Sequence, residues 1–186
     1  LSSAEKHFHR ELYDFVTGAL HWIGDDFILG EEPFTHKDSM ELTESYYRES
    51  IEMVERGGID ILAHLGIFRR GMARAGLSTD FDETKLFPGL LEDLLAGMID
   101  RGIALEVNAA GLRRPEGTTY PIPPVIRMYR DMGGNRITLG SDTHTRDNAF
   151  FGLSRGASVI RQCGFTSSGF FSRGSYVSCP LQSTES

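Results

Sequence analysis

The stretch Ile137-Thr138-Leu139-Gly140-Ser141-Asp142-Thr143-His144 sets a carboxylate and an imidazole two residues apart, at the end of a β-branched and aliphatic run. If the backbone stays extended there, Asp142 and His144 point to the same side. Oxygen and nitrogen donors of this kind suit a divalent transition metal such as zinc, manganese or iron. The same residues have a plainer use, because Asp142 or Thr143 can cap a helix expected from near Asn148. What decides between the two is whether other ligand types arrive beside them.

The elements that must position these residues can be read in chain order. A helix is expected over the opening residues, with Ser2 and Glu5 at capping-box spacing and Phe8, Leu12, Phe15, Val16 and Ala19 at helical intervals. His7 and His9 fall on it and point about 200° apart, so they cannot share a metal. Phe27 to Gly30 reads as a short buried strand, followed by a loop from Glu31 to His36. A helix over Glu41–Arg56, with Tyr47, Ile51 and Val54 inward, stops at Gly57-Gly58. The strand Ile59–Ala63 ends at His64, and a helix carrying Leu90, Leu91, Leu94, Leu95, Met98 and Ile99 closes at Gly102. The strand Ile103–Val107 ends at Asn108, and a helix over Pro124–Met132 leads to the strand Arg136–Leu139. A helix over Ala149–Gln162 and a last strand over Gly169–Arg173 complete the pattern, with a polar tail from Gln182. Alternation of this kind predicts a parallel sheet with right-handed crossovers, open or closed into a barrel, in one domain over 1–186. Both architectures place the site where strands end, and His64, Asn108, Asp142 and His144 each follow a strand end. A buried imidazole bonded to a carbonyl is the plainer reading of His64.

Composition narrows the partners. The 186 residues are 40% apolar and 24% charged, with a formal net charge of -7, which disfavours nucleic acid or an anionic membrane as the main partner. No apolar run reaches membrane-spanning length and the N-terminus lacks a signal pattern. Cys163 and Cys179 do not form a disulfide framework or a zinc knuckle, so a reducing, cytoplasmic setting is expected.

Three motifs in order, Asp60-Ile-Leu-Ala-His64, Leu105-Glu-Val-Asn-Ala-Ala-Gly-Leu-Arg-Arg-Pro115 and Leu139-Gly-Ser-Asp-Thr-His144, resemble the polymerase and histidinol phosphatase (PHP) superfamily, most closely its histidinol-phosphatase-like branch. Gly164-Phe165 through Arg173 is similar to that branch's closing segment, and the resemblance covers about residues 20 to 173. It implies an α/β fold, a distorted (β/α)7 TIM-like barrel, with two or three divalent metals at the strand ends hydrolysing phosphate esters. It further implies that His64, Asp142 and His144 are metal ligands, with Asp142 and His144 at the chemistry. Arg113 is then expected at the substrate phosphate, where a guanidinium fork suits bidentate contact, with Asn108 nearby. Two departures stand out. The leading His-x-His strand of the family has no counterpart, so the chain reads as the C-terminal two-thirds of such a domain, needing an N-terminal segment or an oligomer partner. The loop expected to carry a Gly-x-x-His ligand reads Gly30-Glu-Glu-Pro33, leaving His36, Glu31 or Glu32 as substitutes.

The resemblance thus implies a metal-dependent phosphatase of histidine biosynthesis acting on a small phosphomonoester, L-histidinol phosphate foremost, possessed of divalent metal and inactive if ligands are missing. A non-catalytic PHP-like scaffold or regulatory domain is the alternative. A metal-dependent amidohydrolase fits the strand-end His and Asp but also lacks its leading His-x-His.

Overall fold

The computed structural model describes residues 10–182. His7, His9 and most of the expected opening helix lie outside the described residues. Where that helix was expected to continue, the chain forms a short 3-10 turn at Arg10–Leu12 and then a strand, β1, at Thr17–Gly18. β1 pairs in parallel with β4 (Ile61–Leu62), matching Thr17 to Ile61 and Gly18 to Leu62. The helical spacing of Phe15, Val16 and Ala19 is therefore overridden by sheet pairing, a tertiary effect that local pattern does not report.

Between β1 and β4, two short strands, β2 (Trp22–Ile23) and β3 (Asp26–Phe27), pair antiparallel as a separate ribbon. This replaces the sheet strand expected at Phe27–Gly30. The expected loop at Glu31–His36 is a short helix, α1 (Glu32–His36), with Pro33 in its first turn. Helix α2 (Ser39–Arg56) starts where the Asp38 carboxylate accepts from the backbone N–H groups of Met40 and Glu41. It buries Leu42, Tyr46, Tyr47, Ser50 and Val54 along one face and ends at Gly57, whose φ of 71° a side chain would resist.

After β4 come α3 (Arg69–Arg74), α4 (Glu83–Leu86) and α5 (Pro88–Arg101). Helix α5 buries Leu91, Leu94, Leu95 and Met98 and stops at left-handed Gly102. Strand β5 (Ala104–Asn108), helix α6 (Pro123–Asp131), strand β6 (Ile137–Gly140), helix α7 (Leu153–Gln162) and strand β7 (Ser167–Ser172) follow. A final strand absent from the sequence reading, β8 (Ser175–Pro180), returns antiparallel on β7. The sheet runs β1-β4-β5-β6-β7-β8, with all neighbours parallel except the last pair.

Leu62, Leu105, Val107 and Ile137 join the residues of α2, α5 and α6 in one main core. The opposite face carries a smaller cluster in which Phe171 of β7 meets Ile61 of β4 and Ala104 of β5, with Tyr176 of β8 against it. A flat sheet would hold β7 and β4 too far apart for this, so the sheet is curved, and this face is its inside. At the far edges, the N–H groups of Arg173 and Gly174 in the β7–β8 turn donate to the side chain and carbonyl of Asp14, just before β1.

Candidate metal centre

Two imidazoles meet at the C-terminal rim. His64 follows β4, and His21 follows β1, which lies beside it in the sheet. Their Nε2 atoms stand 3.3 Å apart, and the rings stack at 23° with centroids 5.1 Å apart. His64 is buried, and its Nδ1 is buried with no hydrogen-bond partner. Burial lowers the His64 pKa to about 4, with the neighbouring His21 lowering it further and Asp142 opposing. Burial also lowers His21, helped by Arg70 and His144 and opposed by Asp142. Both rings are therefore neutral near pH 7, the state in which an imidazole ligates a metal.

The electrostatic reach of Asp142 and His144 to both rings places the loop after β6 at the same rim. His64 has φ 34° and Asp142 φ 49°, left-handed backbone for residues that carry side chains. The His144 ring turns back on its own loop, with Nδ1 2.9 Å from the carbonyl of Asp142 and 3.5 Å from its carboxylate. Among the described residues, no three His, Cys, Asp or Glu side chains are gathered tightly enough to hold a metal ion. The donor types nonetheless fit. With Zn–N at about 2.0–2.1 Å, two ligands of a tetrahedral site stand about 3.3–3.4 Å apart, the separation of these two nitrogens.

His36 is not brought to this group. It sits on α1 with a half-exposed side chain, its Nδ1 3.6 Å from the carboxylate of Glu32, and that i,i+4 pairing spends both residues on the helix surface. Asn108 is buried with its polar atoms committed internally: Oδ1 accepts from the Ala110 N–H and Nδ2 donates to Glu106. Arg113 lies on the 3-10 turn Ala110–Arg113 and donates from its two terminal nitrogens to the carbonyls of Ser141 and Asp142, at 2.8 and 3.0 Å. Its guanidinium also lies 5.5 Å from the centre of the Phe151 ring.

Three residues went unseen in the sequence. His21 is the histidine of Gly18-Ala-Leu-His21, a Gly-x-x-His at the end of β1, while the sequence reading sought that spacing after Gly30. Glu106 on β5 accepts from the His64 N–H and from Asn108 Nδ2, both at 2.9 Å, and burial pushes its carboxyl above the usual range. Arg70 stands near Asp142, Arg74 and Arg114; burial, with those two arginines, lowers its pKa. The buried Nε atoms of Arg70 and Arg114 have no partner.

The fold and rim define a parallel α/β protein with its polar residues gathered where strands end, the arrangement of many α/β enzymes. No model of a known protein family matches the chain. It is 30% identical over 125 residues to a probable histidinol-phosphatase of Thermotoga maritima, covering 67% of this chain and 50% of that protein. A probable histidinol-phosphatase of Clostridium acetobutylicum is 22% identical over 152 residues, covering 81% of this chain and 58% of that protein. Among solved structures, the histidinol phosphate phosphatase of Lactococcus lactis, complexed with zinc, L-histidinol and phosphate, superposes with a TM-score of 0.70 at 22% identity, over 89% of this chain and 62% of that one. The chain spans about half the length of the curated relatives it matches. The chain is thus similar to histidinol-phosphatases in sequence and in fold over most of its described length.

Proposed function

We propose that the chain carries part of a divalent-metal centre that hydrolyses a small phosphomonoester, L-histidinol phosphate, to the alcohol and inorganic phosphate. The observation that carries this reading is the pair of imidazoles, half-buried His21 and buried His64, with Nε2 atoms 3.3 Å apart at the strand-end rim beside Asp142. In this reading His21, His64, Asp142 and His144 hold zinc, manganese or iron, and His21 takes the place that sequence reasoning gave to His36. When bound, such cations polarise the phosphoryl group and lower the pKa of a coordinated water.

The chain's own residues would do the rest. Arg113 holds the Ser141-Asp142 backbone in place through its two carbonyl contacts. Arg70 carries positive charge within reach of Asp142, with Arg114 near Arg70, and would face the equatorial phosphoryl oxygens as they gain charge when the ester bond breaks. Asn108 anchors the turn that presents Arg113. The curved sheet, with Phe171 against Ile61 and the β7–β8 turn on Asp14, supports a distorted (β/α)7 barrel as the complete architecture. Among the described residues, no helix is long and apolar enough to cross a membrane.

A non-catalytic scaffold is the second reading, favoured by the lack of a three-donor cluster among the described residues. Phosphate release from L-histidinol phosphate in zinc or manganese separates the two. Slow release that Asp142→Asn abolishes supports the phosphatase. Metal uptake with no release at any metal concentration, even once an N-terminal segment bearing His-x-His is supplied, supports the scaffold and contradicts the phosphatase.

A further inference from the structure

The two candidate ligands His64 and Asp142 follow strands that are not neighbours: β5 runs between β4 and β6. Both have left-handed backbone, which is strained for a residue with a side chain and persists only where surrounding contacts over-determine it. The contacts that do so converge on one side chain.

Glu106 is the middle residue of β5 and projects from the inner face of the sheet, level with Thr138 of β6. Its Oε2 accepts two hydrogen bonds at 2.9 Å, one from the backbone N–H of strained His64 and one from Asn108 Nδ2. Its other oxygen lies over Gly140, so closely that a Cβ there would collide with it. Gly140 is the last residue of β6 and leads directly into Ser141 and Asp142. From Asn108 the chain of bonds continues through Oδ1 to the Ala110 N–H, which opens the turn bearing Arg113. Arg113 closes it on the carbonyls of Ser141 and Asp142. A single carboxylate thus touches the ends of β4, β5 and β6 and connects both strained loops.

We propose that Glu106 is a positioning residue, which fixes the left-handed conformation of His64 and, through Asn108, the turn that grips the Asp142 loop. It acts through His64 and Asn108 and does not itself need to touch metal or substrate. A carboxylate is suited to this because it presents acceptors only, and two N–H donors from different strands must be satisfied at one buried point. Leucine or valine at 106 would complete the apolar inner cluster of Ile61, Ala104 and Phe171 yet leave the His64 N–H and Asn108 Nδ2 without partners.

The test compares Glu106→Ala, which removes the acceptor, with Glu106→Gln, which keeps an oxygen of the same reach. Amide hydrogen exchange at His64, followed by NMR against Leu62 on the strand before it, reads the positioning directly and needs no metal. Calorimetric titration with zinc reads its consequence, and only this arm rests on the metal-centre reading. Loss of an outer partner of a ligand typically weakens metal binding about ten- to a hundredfold. In Glu106→Ala the His64 amide is expected to exchange at least about tenfold faster while Leu62 stays protected, with zinc affinity down by that factor. Glu106→Gln is expected to restore both most of the way. If Glu106→Ala does not fold, Glu106→Met fills the space without an acceptor and takes its place. His64 protection that is unchanged, or lost in step with Leu62, overturns the positioning role. Failure of the unaltered chain to take up zinc overturns the metal-centre reading alone.

Discussion

Two buried polar groups in this molecule look alike in the sequence and behave oppositely in the structure. Arg69 and Glu83 form a fully buried ion pair behind the sheet. Every nitrogen of the guanidinium is used: Nε donates to the Thr79 carbonyl, one terminal nitrogen to Glu83 and the other to the Phe81 carbonyl. Tyr47 donates to the same glutamate oxygen, and the Phe81 ring lies 4.5 Å under the guanidinium. At the rim, His64 is nearly as buried, yet its Nδ1 has no partner and its Nε2 faces another imidazole. The Arg69 guanidinium is fully satisfied within the fold, although Oε2 of its partner Glu83 accepts nothing, whereas the His64 ring leaves a nitrogen open beside a second imidazole. What sets His64 apart is its place at the strand-end rim, against a second imidazole and within reach of Asp142, and that setting points to a ligand.

The contrast breaks first on stability. Removing one partner of a buried ion pair leaves an uncompensated charge, so Arg69→Ala is expected to cost about 3–5 kcal/mol in urea unfolding. A loss under about 1 kcal/mol would mean that the pair is not structural.

Acid sharpens the contrast from the other side. The folded His64 pKa is about 4 against an ordinary value of 6.5. Between those values the unfolded chain binds more protons than the folded one, so stability falls as pH drops through that window. The contribution is fully present above pH 6.5, on the order of 3 kcal/mol for this one group, and is lost by about pH 4. His21 is shifted the same way and adds to the slope. Urea midpoints from pH 7 to pH 4 in chelator should therefore fall more steeply for the unaltered chain than for His64→Gln. Equal slopes would contradict the burial argument.

How much of this was legible beforehand depends on what each residue's evidence is made of. His64 and Asp142 could be found because they follow apolar runs long enough to read as strands, and the alternation of elements puts such ends on one rim. The main helices α2, α5, α6 and α7 were legible from their apolar spacing and glycine stops. His21 was not, because β1 is two residues long and its neighbours Phe15, Val16 and Ala19 mimic a helix. Only Gly18-Ala-Leu-His21 carried the signal, and it was sought at Gly30. β8 escaped because Ser175-Tyr-Val-Ser-Cys-Pro180 has no buried face to impose alternation. Asn108 and Glu106 are legible as polar residues in a strand, but which hydrogen bonds consume them depends on strands far away in sequence.

A smaller effect separates holding a loop from binding a ligand. Arg113→Ala removes two donors to the Asp142 loop and is expected to cost about 1 kcal/mol of stability, while zinc affinity falls about tenfold. Arg113→Lys should recover little of the affinity, because an ammonium does not reproduce the two-pronged grip. Unchanged zinc affinity in Arg113→Ala would free the Asp142 loop from the arginine.

The most direct test of the central claim is zinc K-edge absorption of the chain loaded with one equivalent of zinc, beside His21→Ala. The account predicts nitrogen ligands at about 2.0–2.1 Å with the outer-shell pattern of imidazole, and loss of one imidazole in His21→Ala. A zinc spectrum that His21→Ala leaves unchanged, or a chain that retains no zinc at all, would contradict it.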